Sequence, residues 1–156
     1  PLGAAILVQC QFLARCRRLG GNPRRYKVTM ILIVDDDVGL TDTCSMLLES
    51  HGFEVDVASS GIEALSKLKA APHELLISDC AMPGMTGVQL SEKVKADPLT
   101  AHLPILLMSA SLRCEIADSF SYDAFLRKPF LAERLLSEIH KLVDGRGTAP
   151  INSYKV

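Results

Sequence analysis

The stretch ILIVDDD, residues Ile31 to Asp37, joins four apolar residues directly to three consecutive aspartates. The apolar, β-branched run predicts a short buried strand, which we place at 30–34. Neighbouring carboxylates repel one another, and a cluster of them is unfavourable unless another group neutralises it. The stretch therefore predicts a buried strand that leads into an acidic site at its carboxyl end.

Strand-like and helix-like segments alternate from this stretch up to residue 144. Apolar or alternating runs predict strands at 30–34, 53–58, 74–78, 104–108 and 124–127. Helical spacing and capping signals predict helices at 38–50, from Ser60 to about Ala70, at 88–96, at 112–120 and from Pro129 to 144. Such alternation predicts an α/β protein with a mainly parallel sheet that is covered on both faces. The run FEVDVA (53–58) alternates apolar and acidic residues, which is typical of an edge strand.

Two helix starts carry specific signals. Ser60 precedes Glu63 by three residues, which is a capping-box pattern. Pro129 is placed where a helix can begin. The last helix has an inner apolar stripe formed by Leu131, Leu135, Leu136, Ile139, Leu142 and Val143.

Polar residues follow four of the five predicted strands. The ends are Asp35-Asp36-Asp37 after the first strand, Asp79 after the third, Ser109 after the fourth and Lys128 after the fifth. In open parallel sheets ligands bind beyond the carboxyl ends of the strands, so these residues should meet at one edge. Magnesium is typically held by one or two carboxylates with water and phosphate. Asp35 and Asp36 are the predicted acidic pair, Asp79 is the third carboxylate, and Asp37 is solvated or caps the next helix.

Carboxylates beside a metal, a lysine and a hydroxyl provide the groups that phosphoryl transfer needs. An aspartate can act as a nucleophile and form an acyl phosphate. A metal or a lysine offsets the charge on the phosphoryl oxygens. The Ser109 hydroxyl can donate a hydrogen bond to one of these oxygens.

Four motifs in this order, ILIVDDD, LLISDCAMPGMTG, ILLMSA and FLRKPF, resemble those of the response-regulator receiver domain of two-component signalling. The resemblance covers about residues 30–144. It implies a flavodoxin-like, doubly wound fold, in which a five-stranded parallel sheet of order 2-1-3-4-5 is flanked by five helices.

The resemblance also assigns roles at the acidic edge. It implies that Asp79 accepts a phosphoryl group from a histidine kinase or a histidine phosphotransfer protein. It implies that Asp35, Asp36 and Asp79 hold Mg²⁺, together with the backbone carbonyl of Cys80. The implied function is that of a signalling switch whose own catalysis is at most weak phosphoryl transfer and autodephosphorylation.

The switch itself is implied to involve three further residues. Lys128 pairs with the acidic centre and then with phosphate, and the Lys128–Pro129 bond is usually cis in this family. Ser109 reorients toward the phosphate, and Phe125 matches the aromatic residue that turns inward on activation. The face of the fourth helix, fifth strand and fifth helix then changes for an output partner.

The sequence departs from the family pattern around that output face. The segment between Ser109 and Lys128 is shorter than usual, and Ser121-Tyr122 replace the usual Gly-Ala before the fifth strand. These changes keep open a phosphate-independent interaction domain with the receiver fold. A magnesium-dependent phosphatase of another family is disfavoured, because those enzymes usually carry a second Asp where this chain has Ala81.

The chain has two ends outside the predicted domain. Residues 1–29 contain six basic residues and no acid, so removing them from a net charge of −1 leaves −7 for the remainder. This extension, which begins with PLG as a cleaved tag would, is interpreted as disordered or as a poorly fixed helix, and Met30 could be the natural start. The tail 145–156 is too short for an output domain, which predicts a stand-alone receiver or a receiver cut from a longer protein.

The composition bounds the setting of the protein. Five cysteines without a CxxC pair indicate reduced thiols and a cytoplasmic location rather than a zinc site or a disulfide framework. No apolar run is long enough to span a membrane, and no basic recognition helix indicates direct DNA binding. We expect a monomer or a weak homodimer.

Overall fold

The computed structural model of the protein describes residues 29–111 and 121–145. Within these ranges the elements in chain order are β1 (Met30–Val34), α1 (Val38–Ser50), β2 (Glu54–Ala58), α2 (Gly61–Ala70), β3 (Leu75–Asp79), α3 (Gly87–Ala96), β4 (Ile105–Ser109), β5 (Ala124–Arg127) and α4 (Ala132–Asp144). The helix predicted at 112–120 lies outside the described residues. In the described parts of the chain, no helix has the length and apolar character that crossing a membrane requires.

All five strands run parallel in one sheet of order β2-β1-β3-β4-β5. The predicted flavodoxin-like, doubly wound fold is thereby confirmed. The strands β1, β3 and β4 are almost fully buried, as their uninterrupted apolar sequences require. The strand β2 forms one edge and keeps one exposed and several half-buried residues, as its alternating sequence predicts.

Two apolar cores cover the opposite faces of the sheet. Successive side chains of a strand point to opposite faces, so Leu32 of β1 joins one core and Ile33 joins the other. Helices α2 and α3 close the first core, and α1 and α4 close the second. Because both faces are covered, the carboxyl ends of the strands are the place where polar side chains can gather.

The last helix begins later than the sequence predicts. It starts at Ala132 rather than Pro129, with Leu131 as its N-cap residue, and the Lys128–Pro129 peptide bond is cis. The prediction that Leu131 faces inward is wrong, because this residue precedes the helix and is 75% exposed. The rest of the predicted stripe is buried or half-buried: Leu135, Leu136, Ile139, Leu142 and Val143.

The capping box predicted at Ser60 is only half present. The Ser60 Oγ accepts the Glu63 N–H at 3.3 Å, but the Glu63 carboxylate accepts the N–H and the hydroxyl of Ser59, both at 2.8 Å. The Glu63 carboxylate therefore bonds to Ser59, the residue before the cap, and not to the backbone N–H of Ser60 as a capping box requires. A complete capping box lies at the start of α3, where Thr86 Oγ1 accepts the Gln89 N–H at 3.2 Å and Gln89 Oε1 accepts the Thr86 N–H at 3.1 Å.

Candidate phosphoryl-transfer site

Two nearly buried carboxylates lie side by side at the carboxyl edge of the sheet. Asp35 directly follows β1, and Asp79 is the last residue of the adjacent strand β3. They are 4% and 6% exposed, because the strands that carry them are buried on both faces. Asp36 is exposed, yet a carboxylate oxygen from each of the three aspartates lies within 4.8 Å of the others. The structure thus brings together the three acids that the sequence places at strand ends.

Lys128 bridges the two buried acids from the end of β5. Its Nζ donates to Asp35 Oδ2 at 2.8 Å and to Asp79 Oδ1 at 2.7 Å. Burial alone would lower the pKa of Lys128, but the hydrogen bonds and charges of the two carboxylates outweigh this effect and raise it. Lys128 is therefore held as an ammonium ion between Asp35, which lies 93 positions earlier in the chain, and Asp79, which lies 49 positions earlier.

The remaining oxygens of the two acids accept backbone N–H groups. Asp35 Oδ1 accepts the N–H of Asp37, and Asp79 Oδ2 accepts the N–H of Ala81, each at 2.9 Å. Each buried carboxylate is consequently fixed at both oxygens. Asp37 caps α1 by accepting the N–H of Leu40 at 3.2 Å, so the prediction of a cap at Asp37 is confirmed.

The charges in this site do not balance. Three carboxylates lie close together, and Lys128 supplies one positive charge to two of them. An excess of oxygen donors with negative charge is the donor set that a hard divalent cation such as Mg²⁺ prefers. The residues present therefore fit a magnesium ion held by Asp35, Asp36 and Asp79.

The backbone carbonyl of Cys80 is a weaker candidate ligand than the three carboxylates. Cys80 is 1% exposed, and its carbonyl oxygen accepts the N–H of Gly87 at 3.0 Å. The hydrogen bond ties the loop after β3 to the start of α3.

Ser109 and Phe125 lie on the two strands beyond Asp79. Ser109, 1% exposed, donates its hydroxyl to the Ser111 carbonyl at 3.1 Å and accepts the Ser111 N–H at 3.0 Å. Its own carbonyl accepts the N–H of Lys128 at 2.8 Å, which links it to the bridging lysine. Phe125 is half-buried beside Tyr122, with ring centroids 6.4 Å apart.

A second ionic cluster, which the sequence analysis does not predict, lies beside the edge strand β2 and includes Asp56, Lys67 and His73. The His73 side chain is 1% exposed, with Nε2 3.4 Å from Asp56 Oδ2 and Nδ1 3.0 Å from the Ala71 carbonyl. Lys67 Nζ donates to Asp56 Oδ1 at 2.5 Å. Burial would raise the pKa of Asp56, but the Lys67 hydrogen bond and charge, with bonds from Val57 and His73, lower it.

The described cysteines are packing residues rather than reactive thiols. Cys44 and Cys80 are buried and free of disulfides. Burial, with the nearby charge of Asp35, raises the pKa of the Cys44 thiol and keeps it protonated. This fits the expectation of reduced thiols.

The fold and this arrangement of side chains define a receiver domain. The model of the response regulator receiver domain family matches residues 31–140, and the chain belongs to that family. The solved structure of response regulator protein TrrA from Thermotoga maritima, in complex with Mg²⁺-BeF, is similar. Its TM-score is 0.69 at 28% identity, and the match covers 74% of this chain and 99% of that one.

Two curated relatives place the chain within this family. The chemotaxis protein CheY of Pseudomonas aeruginosa is 34% identical over 118 residues, which cover 73% of this chain and 95% of that protein. The transcriptional regulatory protein CpxR homolog of Haemophilus influenzae is 32% identical over 131 residues, which cover 81% of this chain. The match spans 55% of the length of that second relative. The shared part in both comparisons is of receiver-domain size.

Proposed function

We propose that this receiver domain is a phosphoacceptor in two-component signalling and that Asp79 takes the phosphoryl group from a histidine kinase or a histidine phosphotransfer protein. The observation that carries the proposal is the position of the Asp79 carboxylate. It is nearly buried, held by Lys128 and the Ala81 N–H, and within 4.8 Å of two further acids. A nucleophile fixed in one orientation loses little entropy on reaching the reactive geometry.

The transfer requires one bond to form and one to break. A carboxylate oxygen of Asp79 attacks the phosphorus of a phosphohistidine, and the P–N bond breaks with its electron pair remaining on the imidazole nitrogen. The Lys128 ammonium lies where it can neutralise charge on the phosphoryl oxygens. Bound Mg²⁺, held by Asp35, Asp36 and Asp79 with the Cys80 carbonyl as a further ligand, supplies additional charge compensation. The structure of the similar TrrA in complex with Mg²⁺-BeF supports the proposal that this site binds Mg²⁺.

The acyl phosphate then biases two packings of the neighbouring strands. A phosphoryl group adds nearly two negative charges and new acceptor oxygens, which compete for the Ser109 hydroxyl now bonded to Ser111. Movement of Ser109 changes the space beside Phe125 on the adjacent strand. The face that includes β5 and α4 then presents a different surface to an output protein.

The test is phosphorylation by acetyl phosphate with Mg²⁺, followed by intact-mass measurement. Wild type should gain one phosphoryl group, which should be absent with a chelator and absent in Asp79→Asn. Asp37→Asn is a matched control, because it makes the same carboxylate-to-amide change two residues from Asp35 and retains a capping side chain.

The alternative function predicts a different result from the same experiment. A phosphate-independent interaction domain would gain no phosphoryl group while folded and would not bind the stable phosphoryl mimic beryllofluoride. Beryllofluoride binding without mass gain would instead indicate rapid dephosphorylation of Asp79. The intact set of Asp79, Lys128 and Ser109 supports the phosphoacceptor.

A further inference from the structure

Gly87, the first residue of α3, lies directly against the backbone of the acceptor residue. A Cβ atom built on Gly87 would lie 2.1 Å from the carbonyl oxygen of Asp79 and 3.0 Å from the Cα of Cys80. The obstructing atoms belong to the backbone, so no change of side-chain rotamer can relieve the contact. The absence of a side chain at position 87 allows α3 to approach the end of β3 this closely.

Two other glycines at helix starts do not approach main-chain atoms in this way. A Cβ on Gly61 would meet the Sδ of Met85 at 2.7 Å, and that flexible side chain can move. A Cβ on Gly39 would lie 3.4 Å from Asp37 Oδ1, which is an ordinary contact distance. Gly87 instead contacts the main chain of Asp79 itself.

The close approach also closes the loop between β3 and α3. The N–H of Gly87 donates to the Cys80 carbonyl at 3.0 Å, which joins the two ends of the segment 80–87. Inside this loop the Ala81 N–H donates to Asp79 Oδ2 at 2.9 Å. The loop therefore supplies one of the two hydrogen bonds that orient the Asp79 carboxylate, and Lys128 supplies the other.

We propose that Gly87 is a positioning residue for phosphoryl transfer, acting through the closed loop and the Ala81 N–H on the Asp79 carboxylate. The inference rests on the proposed role of Asp79 as the phosphoacceptor. A side chain at position 87 must push α3 or the end of β3 away by about 1 Å, given that Cβ contacts under 3.0 Å essentially never occur. A displacement of this size is enough to slow a positioned reaction substantially.

The first test compares Gly87→Ala with two control variants. Gly39→Ala makes the same change in the first turn of α1 without a close contact. Val94→Ala removes a fully buried side chain of α3, so it destabilises the fold without altering the contact with Asp79. Urea titration first identifies buffer conditions in which every variant is fully folded. The rate of phosphoryl labelling is then measured in those conditions with saturating acetyl phosphate and Mg²⁺. Gly87→Ala should be labelled about 10- to 100-fold more slowly than wild type, and both controls should stay within about twofold.

The second readout follows the geometry without relying on phosphorylation. Amide hydrogen exchange at Ala81, measured by NMR, should accelerate in Gly87→Ala and stay at the wild-type rate in Val94→Ala once corrected for global stability. Normal Ala81 protection in Gly87→Ala, or labelling at the wild-type rate, overturns the positioning role. If the wild type takes no phosphoryl group and binds no beryllofluoride, the proposed function fails, and the positioning role in phosphoryl transfer fails with it. If the wild type is labelled and Gly87→Ala is labelled at the same rate, the positioning role of Gly87 is refuted, while the proposed function of Asp79 stands.

Discussion

Two ionic clusters in this domain use similar residues in opposite proportions. The site cluster, formed by Asp35, Asp36, Asp79 and Lys128, has three carboxylates around one ammonium group. The edge cluster, formed by Asp56, Lys67 and His73, instead places an ammonium group and an imidazole around the Asp56 carboxylate, and Glu63 Oε1 lies 4.0 Å from the same ammonium group. Two of the three acids of the site cluster are also more deeply buried: the Asp35 and Asp79 side chains are 2% and 9% exposed, against 33% for Asp56.

The difference separates a site that can accept a ligand from one that is complete in itself. The edge cluster stabilises contact between β2, α2 and the loop before β3, and its carboxylate is already bonded to both Lys67 and His73. The site cluster keeps excess negative charge at a place with low solvent exposure, where unpaired charge is unfavourable. A cation bound there would relieve this excess, next to the carboxylate of Asp79 that we propose as the nucleophile.

The largest expected difference between the clusters follows removal of each lysine. Lys128→Met leaves two nearly buried carboxylates without their shared partner and should lower the free energy of unfolding by about 3 kcal/mol in metal-free buffer. Lys67→Met breaks a half-exposed pair and should lower it by about 1 kcal/mol or less. Urea denaturation of both variants checks the prediction, and added Mg²⁺ should narrow the stability difference from wild type only for Lys128→Met. Equal losses in the two variants would remove the distinction.

A smaller effect is expected when one acid of the site cluster is neutralised. Asp36→Asn removes an exposed carboxylate that is not bonded to Lys128, so the fold should be unchanged or slightly more stable without metal. Affinity for Mg²⁺ should fall by at least about tenfold, which is the lower end of what losing a metal ligand's outer partner costs. Isothermal titration with Mg²⁺ measures this change. Asp42→Asn, an exposed aspartate on α1, is the control, and equal affinities in the two variants would exclude Asp36 as a ligand.

The stabilising contributions of Lys128 and Asp56 should be lost at opposite ends of the pH scale. The pKa of Lys128 is raised above its ordinary 10.5, so its stabilising contribution is full below that value and is lost as pH rises through the folded-state pKa. The pKa of Asp56 is lowered below its ordinary 3.8, so its contribution is present above that value and is lost as pH falls through the folded-state pKa. Unfolding free energy measured against pH should lose alkaline slope in Lys128→Met and acidic slope in Lys67→Met. The reverse assignment of slopes would contradict the electrostatic account.

The sequence predicts the site cluster better than the edge cluster for a physical reason. Parallel strands bring their carboxyl ends to one edge, so Asp35 and Lys128 can be placed together although 93 positions separate them. No comparable rule pairs His73 with Asp56, because that contact depends on how α2 packs against the edge strand. The close approach of Gly87 to Asp79 also depends on how tightly α3 packs against β3. A glycine in a turn-rich sequence does not indicate that distance.

Helix ends show the same limit. The interior of α4 follows from its apolar spacing, but its start at Ala132 depends on the path of the chain after β5, which the spacing does not specify. Leu131 therefore has the spacing of an inward residue and an exposed position. At Ser60 the cap follows from the residue type, whereas the partner of Glu63 is set by the local backbone turn.

The central claim, that Asp79 is the phosphoacceptor, is tested most directly by locating the acyl phosphate chemically. Borohydride reduces an aspartyl phosphate to homoserine, and peptide mass spectrometry identifies the position. After treatment with acetyl phosphate and Mg²⁺, the account predicts homoserine at position 79 and none when a chelator is present. Homoserine at Asp35 or Asp36, or none in a folded protein that binds Mg²⁺ but not beryllofluoride, would contradict it.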